Sequence, residues 1–201
     1  ENIMPLGANK AAIMGVAGVS TADVVLLSSQ TADGDSAVTF NSSLITSTYK
    51  IYHFRFYNIN PATNNRMFQF VASTDNGSNY GVTKTSGGFY CYHGESDGTP
   101  VLTFNTDLNN PSDTNAQPIA HSLGSAADES GSGEMYLFNP SSTTYAKHYI
   151  SRCHSYGASE QERDTFIGGY LNTTTAINNI KFEMASGDMD GTIKLWGIVT
   201  E

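Results

Sequence analysis

The sequence predicts an all-β protein, an antiparallel two-sheet β-sandwich of jelly-roll type with an extended N-terminal arm. Charged residues are only 14% of the 201 residues, whereas Ser, Thr, Asn and Gly fill 79 positions, so polarity comes from residues that favour turns. Ten Phe and eleven Tyr residues favour strands. Short runs with period-two alternation, separated by turn residues, indicate half-buried antiparallel strands, and no convincing amphipathic helix interrupts them.

Residues 1–20 are predicted to form an arm, and residues 21–201 a single sandwich domain. The arm mixes apolar and small residues without a period of 2 or 3.6, so it has no face of its own to bury. It could pack on its own domain, pack on a neighbour as an assembly device, or be a linker. These three interpretations stay open.

The strongest strand prediction covers residues 49–57, where Tyr52, Phe54 and Phe56 alternate with more polar side chains. This alternation predicts one buried and one exposed face. The other predicted strands cover residues 23–28, 37–40, 67–73, 88–93, 101–104, 118–123, 134–138, 145–153, 179–184 and 192–199. Among the strand aromatics, core packing is expected for Phe54, Phe56, Phe68 and Trp196.

Turns and loops are predicted where Asn, Asp, Gly, Pro and Ser cluster. They cover residues 31–36, 58–65, 75–77, 107–116, 124–133 and 157–164. The segment 124–133 has no large apolar side chain and is the loop for which most mobility is expected.

The charge balance disfavours two classes of partner. Ten Lys and Arg residues against nineteen Asp and Glu residues give a net charge of -9, which repels a nucleic-acid backbone. No apolar run reaches the roughly 18 to 20 residues that a membrane-spanning helix needs. Neither nucleic-acid binding nor membrane insertion is therefore expected.

The two cysteines, Cys91 and Cys153, fit no metal-binding spacing and lie in predicted strands. They are interpreted as buried free thiols, with a disulfide as the alternative. The five histidines occur singly. Strands can still bring His53 and His93 together, but no zinc or iron site is predicted.

Two short acidic segments have the carboxylate spacing of a calcium loop. Asp33 and Asp35 flank one glycine, and Asp188 and Asp190 are two positions apart just before another. Oxygens at this spacing on a turn can converge on one hard cation, yet the same residues are common in Asx turns. The turn interpretation is preferred, and calcium is the one cofactor left open.

No catalytic residue is predicted. The chain has no Gly-x-Ser-x-Gly elbow. The carboxylate pairs Glu95/Asp97 and Glu160/Glu162 lie in polar turn-like segments rather than on a strand face, so the opposed pair of a glycosidase is not supported. A carbohydrate-active enzyme is the least favoured alternative.

Loop tyrosines offer a different chemistry. Tyr80, Tyr145 and Tyr156 lie beside Ser, Asn, Thr or Gly, and tyrosine rings next to amides and hydroxyls can stack on sugars. These three are the candidate glycan contacts.

Four segments, in order, resemble a family of jelly-roll, concanavalin-like virion proteins of marine tailed bacteriophages. They are Tyr49-Lys-Ile-Tyr-His-Phe-Arg-Phe-Tyr-Asn-Ile-Asn-Pro61, Phe70-Val-Ala-Ser-Thr-Asp-Asn-Gly-Ser-Asn-Tyr80, Glu134-Met-Tyr-Leu-Phe-Asn-Pro140 and Asp190-Gly-Thr-Ile-Lys-Leu-Trp-Gly-Ile198. The resemblance covers about residues 22–199. Pro61, Gly77 and Gly187 have a physical explanation as turn residues.

The resemblance implies a non-enzymatic component of the particle, such as a capsid decoration, a capsid fibre or a tail-fibre domain on the outer surface of head or tail. It transfers no catalytic residues. The implied partners are further copies of the chain, preferably as a homotrimer, and other virion proteins. A receptor- or glycan-binding domain of a tail fibre, with a host surface glycan as partner, is the alternative.

Overall fold

Residues 24–199 are described by a computed structural model and form an antiparallel β-structure. The elements are β1 (Val24–Asp35), β2 (Ala37–Phe40), β3 (Ile51–Pro61), β4 (Arg66–Ser73), β5 (Lys84–Gly94), β6 (Val101–Phe104), a 3-10 turn (Thr106–Leu108), β7 (Asn110–Asp113), β8 (Gln117–Leu123), β9 (Gly131–Phe138), β10 (Lys147–Gly157), β11 (Gln161–Leu171), β12 (Asn179–Met184) and β13 (Met189–Ile198). The predicted arm lies outside these residues.

The strands form two layers. The large layer has the order β1-β13-β3-β9-β10-β11-β5, with β6 and β7 both paired to the far side of β5, and the small layer has the order β8-β4-β12-β2. A single residue pair, Gly157 with Leu123, joins β10 to β8, so the ladder folds over at this point. The all-β antiparallel sandwich is thereby confirmed, while jelly-roll connectivity stays a prediction.

Aromatic side chains from both layers meet in the core. Phe182 of the small layer lies 5.1 Å, between ring centroids, from both Phe54 and Phe56 of the large layer. Phe70 packs edge-on against Tyr149 at 5.0 Å. All five rings are at most 2% exposed, and fully burying each such side chain contributes about 1.5 to 3 kcal/mol.

The predicted alternation of β3 is confirmed. Tyr52, Phe54 and Phe56 are at most 2% exposed and point into the core, and β3 then continues past the predicted end. Asn58 takes a positive φ of 50° at a bulge between Phe56 and Ile59. The bulge keeps the strand paired through Pro61, so the loop prediction for residues 58–65 is wrong in its first half.

Three other turn predictions are wrong in part because backbone pairing overrides turn composition. β1 continues to Asp35, with a bulge that absorbs Asp33 and Gly34. The segment 107–116 contains β7, which pairs with β5. The end of 124–133 belongs to β9, and the side chain of Asn60 donates to the carbonyls of Ala126 and Glu129 in the preceding turn.

The largest error of prediction is β11, which no strand prediction covers and whose beginning was expected to be a loop. β11 pairs with β10 along its whole length and with β5 on its other side. No helix among residues 24–199 is long and apolar enough to cross a membrane.

Candidate functional site

The candidate site is the outer face of the large layer, the side turned away from the core. On β10 the inward side chains are Tyr149, Ser151, Cys153 and Ser155, all at most 6% exposed. The strand alternates, so the outward ones are His148, Ile150, Arg152, His154 and Tyr156. The paired strands on both sides continue these rows across the layer.

The outer face carries most of the exposed apolar side chains. Eight large hydrophobic residues are exposed in the part of the chain that the structure describes. The strand register places six of them on this face: Val24, Leu26, Tyr57, Leu102, Phe104 and Ile150. Phe104 is 83% exposed and Leu102 73% exposed, whereas single apolar residues scattered over a surface would not share one face.

A depression of about 420 Å³ lies on the part of this face formed by β9, β10, β11, β5 and β6. Its floor is a cross-strand pair of glycines, Gly168 of β11 and Gly87 of β5, which present no side chain. We call this pair the glycine notch. Tyr136 and Ile150 line one side, and the other is lined by phenylalanines.

Three phenylalanines form a row across neighbouring strands beside the glycine notch. Phe166 of β11 stacks on Phe89 of β5 with ring centroids 4.9 Å apart, and Phe89 meets Phe104 of β6 edge-on at 5.9 Å. The guanidinium of Arg152 lies 5.0 Å from the Phe166 ring. The row therefore ends in a cation on one side and in an exposed ring on the other.

An ion pair neutralises the charge of Arg152 beside the glycine notch. Arg152 donates to both carboxylate oxygens of Asp164, with Nε–O distances of 3.1 Å. These hydrogen bonds raise the pKa of Arg152.

His53 lies beneath the same face, only 3% exposed. Its Nε2 is 2.8 Å from Oε2 of Glu134, and its ring stacks on Tyr136 with centroids 4.1 Å apart. Burial lowers the pKa of His53, with the Glu134 hydrogen bond opposing that effect. Burial also raises the pKa of Tyr136.

A second depression of about 330 Å³ lies at the far end of the face. It is lined by His93, Gly94, Glu95, His154, Tyr156 and Glu162. A hydrogen bond to Glu95 raises the pKa of Tyr156 to about 12. Tyr156 thus occupies a shallow site beside carboxylates and imidazoles, whereas the prediction placed it in a loop.

The other two candidate tyrosines lie elsewhere. Tyr145 is 69% exposed in the loop before β10, so the strand predicted to begin at this residue starts two residues later. Tyr80 is half-buried, with Nζ of Lys181 4.9 Å from its ring centroid. The structure does not bring the three tyrosines together.

The four candidate calcium ligands occupy one end of β1 and β13. Oδ1 of Asp190 accepts a hydrogen bond from the Gly34 amide at 2.7 Å, and Oδ2 of Asp35 accepts one from the Asp33 amide at 3.2 Å. Asp188 contributes its carbonyl to the amide of Ala62 at 2.9 Å. These contacts are those of turns. Within residues 24–199 no group of three or more His, Cys, Asp or Glu residues is arranged to hold a metal ion.

The cysteine prediction is confirmed in its main point, because both thiols are free. Cys153 is buried, and burial raises its pKa to about 12. Cys91 is only half-buried and lies on the outer face, paired with Leu102.

The sequence does not predict the position of several residues on the outer face. Glycine in a sequence indicates a turn, so the sequence pattern does not identify Gly87 and Gly168 as strand residues of this face. Trp196 was expected in the core but is half-exposed on this face, with its ring 6.1 Å from that of His53. Only the alternation of β3, which set His53 and Arg55 on the face opposite the core, pointed to this side of the molecule.

Comparison of the chain with protein-family models, curated proteins and solved structures finds no match in any of the three. The functional assignment therefore rests on the residues and on the geometry of this face.

Proposed function

We propose that this chain is a non-enzymatic structural component of a bacteriophage particle. It is displayed on the exterior of the head or tail, and it assembles with copies of itself or with the shell through the outer face of the large layer. The observation that carries the proposal is the concentration of exposed apolar side chains on that face. Exposed apolar side chains that share one face favour a contact surface, and the packed aromatic core holds that face in one shape.

The phage setting rests on the ordered motifs of the sequence and on the turn geometry of their residues. Gly77 and Gly187 have φ values of 84° and 79°, which L side chains rarely adopt. Asn139, with φ 47°, directly follows the last residue of β9 and precedes Pro140. These motif residues support strand ends and turns, as expected for a structural domain of jelly-roll type.

The non-enzymatic part of the proposal is supported by the partners of the carboxylates near the glycine notch. Glu134 is hydrogen-bonded to His53, and Asp164 is held by Arg152. Retaining or inverting glycosidases instead use two carboxyl groups that face each other across a cleft.

Immunogold labelling of intact particles tests the proposed location. The antibody is raised against the purified chain, and the same antibody absorbed with that chain is the control. We expect gold over the head, which assigns a decoration or head fibre, or gold at the tail, which assigns a tail-fibre domain. Absence of label from intact particles that contain the chain contradicts exterior display.

Glycan binding is the second candidate function, favoured by the depression around Tyr156. A tyrosine beside Glu95, Glu162 and His154 combines a ring with hydrogen-bonding groups, as sugar sites do. A glycan array with the wild-type chain and the Tyr156→Ala variant tests it, with Tyr145→Ala as the matched control. Binding that Tyr156→Ala removes and Tyr145→Ala retains would support a receptor-binding role.

A further inference from the structure

We propose that Phe104 of one copy of this chain fills the glycine notch of a second copy, and that the second copy does the same in return. This inference rests on the proposed function and names the contact through which the chain assembles. It follows from the glycines, from Phe104 and from the charges around them.

Nothing among residues 24–199 explains why Gly87 and Gly168 are glycines. A Cβ added at Gly168 would meet no atom within 4 Å, and one at Gly87 would meet only Oδ1 of Asn109 at 4.0 Å. Neither residue has the positive φ that requires glycine. Glycine inside a strand nevertheless weakens it relative to alanine, because glycine loses more backbone freedom on folding.

Gly88 and Gly169, the chain neighbours of Gly87 and Gly168, have no room for a side chain. A Cβ at Gly169 would lie 2.6 Å from the Tyr149 hydroxyl, and one at Gly88 would collide with Ile167. These two are glycine because of the core. Gly87 and Gly168 face outward, and an unexplained glycine in a strand marks a place where another group approaches the backbone closely.

Phe104 is the side chain that fills the glycine notch of the second copy. It is the most exposed large hydrophobic side chain in the described residues, at 83%, and it lines the depression above the glycine notch. Burial of such a ring against a partner would be favourable, because it removes apolar surface from water. Leu102, 73% exposed two residues earlier, extends the same apolar edge.

The charges near the glycine notch allow two identical copies to meet. Arg152 is paired with Asp164, and Arg55 lies opposite Glu134 on the neighbouring strand, so these four charges beside the depression sum to zero. The whole chain carries a net charge of -9, so two copies repel each other through their remaining surface. A neutral apolar face is the surface on which that repulsion is least.

Because Phe104 and the glycine notch lie on the same face, the contact between two copies has two-fold symmetry. A two-fold axis in the plane of the contact, passing between Phe104 and the glycine notch, exchanges the two in a single step. Such a contact is isologous, because both copies use the same patch. A closed trimer would instead need Phe104 and the glycine notch to lie on two different surfaces of the chain.

Sedimentation equilibrium of the full chain over a concentration series tests the contact. Wild type is expected to dimerise. Phe104→Asp and Gly168→Val are each expected to weaken the dimer by about 30-fold or more, the range of interface hot spots. Tyr145→Asp and Gly81→Val are the matched controls, because Tyr145 is an exposed aromatic elsewhere and a Cβ at Gly81 also meets nothing within 4 Å.

Mixing the two weakened variants gives the sharpest result. Phe104→Asp retains its glycine notch and Gly168→Val retains its Phe104, so the mixed pair has one intact contact. We expect the mixture to form more dimer than either variant alone. Circular dichroism and thermal unfolding confirm that each variant is folded.

Several outcomes overturn the inference. They are a monomeric wild type, an oligomer that neither variant weakens, a trimer, or a mixture that associates no better than its parts. A monomer that binds a glycan on the array, with binding lost in Gly168→Val, would assign the glycine notch to a sugar instead. Immunogold labelling of particles is read separately, so failure of this contact is distinguishable from failure of the proposed function.

Discussion

Two lysines, Lys84 and Lys147, are completely buried in the part of the chain that the structure describes. Nζ of Lys147 donates to the carbonyls of Thr173 and Thr175, at 2.9 and 2.8 Å. Nζ of Lys84 donates to the carbonyl of Val82 at 2.8 Å. Each ammonium group therefore binds loop backbone to the sandwich, and sequence pattern could not predict this because lysine is normally a surface residue.

Lys84 makes stability depend on alkaline pH. Burial lowers its pKa from 10.5 to about 8, so between these values the unfolded chain holds a proton that the folded chain has released. Stability of wild type relative to Lys84→Met should therefore rise with pH across this window, by at most about 1.4 kcal/mol per pH unit. Urea unfolding at pH 7.5, 8.5 and 9.5 measures the difference. The variant Lys50→Met, at an exposed lysine, controls for the loss of one charge, and a difference that does not change with pH contradicts the assignment.

His53 makes stability depend on pH in the same sense, but in the acidic range. Because burial lowers its pKa below 6.5, the unfolded chain takes up a proton first as the pH falls. Wild type should lose stability relative to His53→Gln once the pH drops below about 6.5. Trp196, the single tryptophan, lies against His53 and reports the protonation by fluorescence. A midpoint at or above 6.5, or the same titration in His53→Gln, would be inconsistent with a buried neutral imidazole.

At the scale of elements, local alternation predicts the strands whose inward side chains are apolar. β3 is predicted with its buried face because Tyr52, Phe54 and Phe56 all point inward. β11 is missed because its pattern is reversed: Phe166 and Gly168 point outward, whereas Arg163 and Thr165 are buried. The guanidinium of Arg163 lies 4.5 Å from the Tyr90 ring, a long-range contact that no local pattern contains.

The outer face could not be predicted from the sequence for the same reason. Gly87 and Gly168 are 81 residues apart, and only the pairing of β5 with β11 makes them neighbours. Phe89, Phe104 and Phe166 come from three strands. The sequence contains each residue, but their arrangement depends on strand order.

Two adjacent glycines of β11 should respond differently to the same substitution. Gly169→Ala places a Cβ 2.6 Å from the Tyr149 hydroxyl and 2.7 Å from the Thr85 carbonyl oxygen, so it should destabilise the fold by about 1 to 3 kcal/mol. Gly168→Ala meets open space and should be neutral or stabilising by up to about 1 kcal/mol. Urea unfolding of both variants measures the pair. Equal losses would mean that the register of β11 differs from the one described.

At the scale of the whole molecule, the two layers have different roles in the proposed function. The small layer covers the aromatic core, and the large layer presents its outer face to a partner. The mean hydropathy of -0.29 and the net charge of -9 describe a polar acidic chain. Within residues 24–199, six of the eight exposed large apolar side chains nevertheless share one face.

Salt should strengthen self-association. Two chains of net charge -9 repel each other, and salt screens that repulsion, while an apolar contact loses nothing to screening. The dissociation constant from sedimentation should therefore fall between about 0.05 and 0.5 M NaCl, within the range over which the Debye length shortens from above 10 Å towards 3 Å. An interface held by ion pairs would weaken over the same range.

The most direct test of the central claim uses the two free thiols as reporters. Cys91 is half-buried on the outer face beside Leu102, whereas Cys153 is buried in the core. Alkylation of the native chain with iodoacetamide, followed by mass spectrometry, gives the modification rate of each. If the outer face is covered by a second copy, Cys91 reacts several-fold more slowly in wild type than in Phe104→Asp, and Cys153 stays unmodified in both. Equal rates for Cys91 in the two proteins would contradict the claim that this face is the assembly surface.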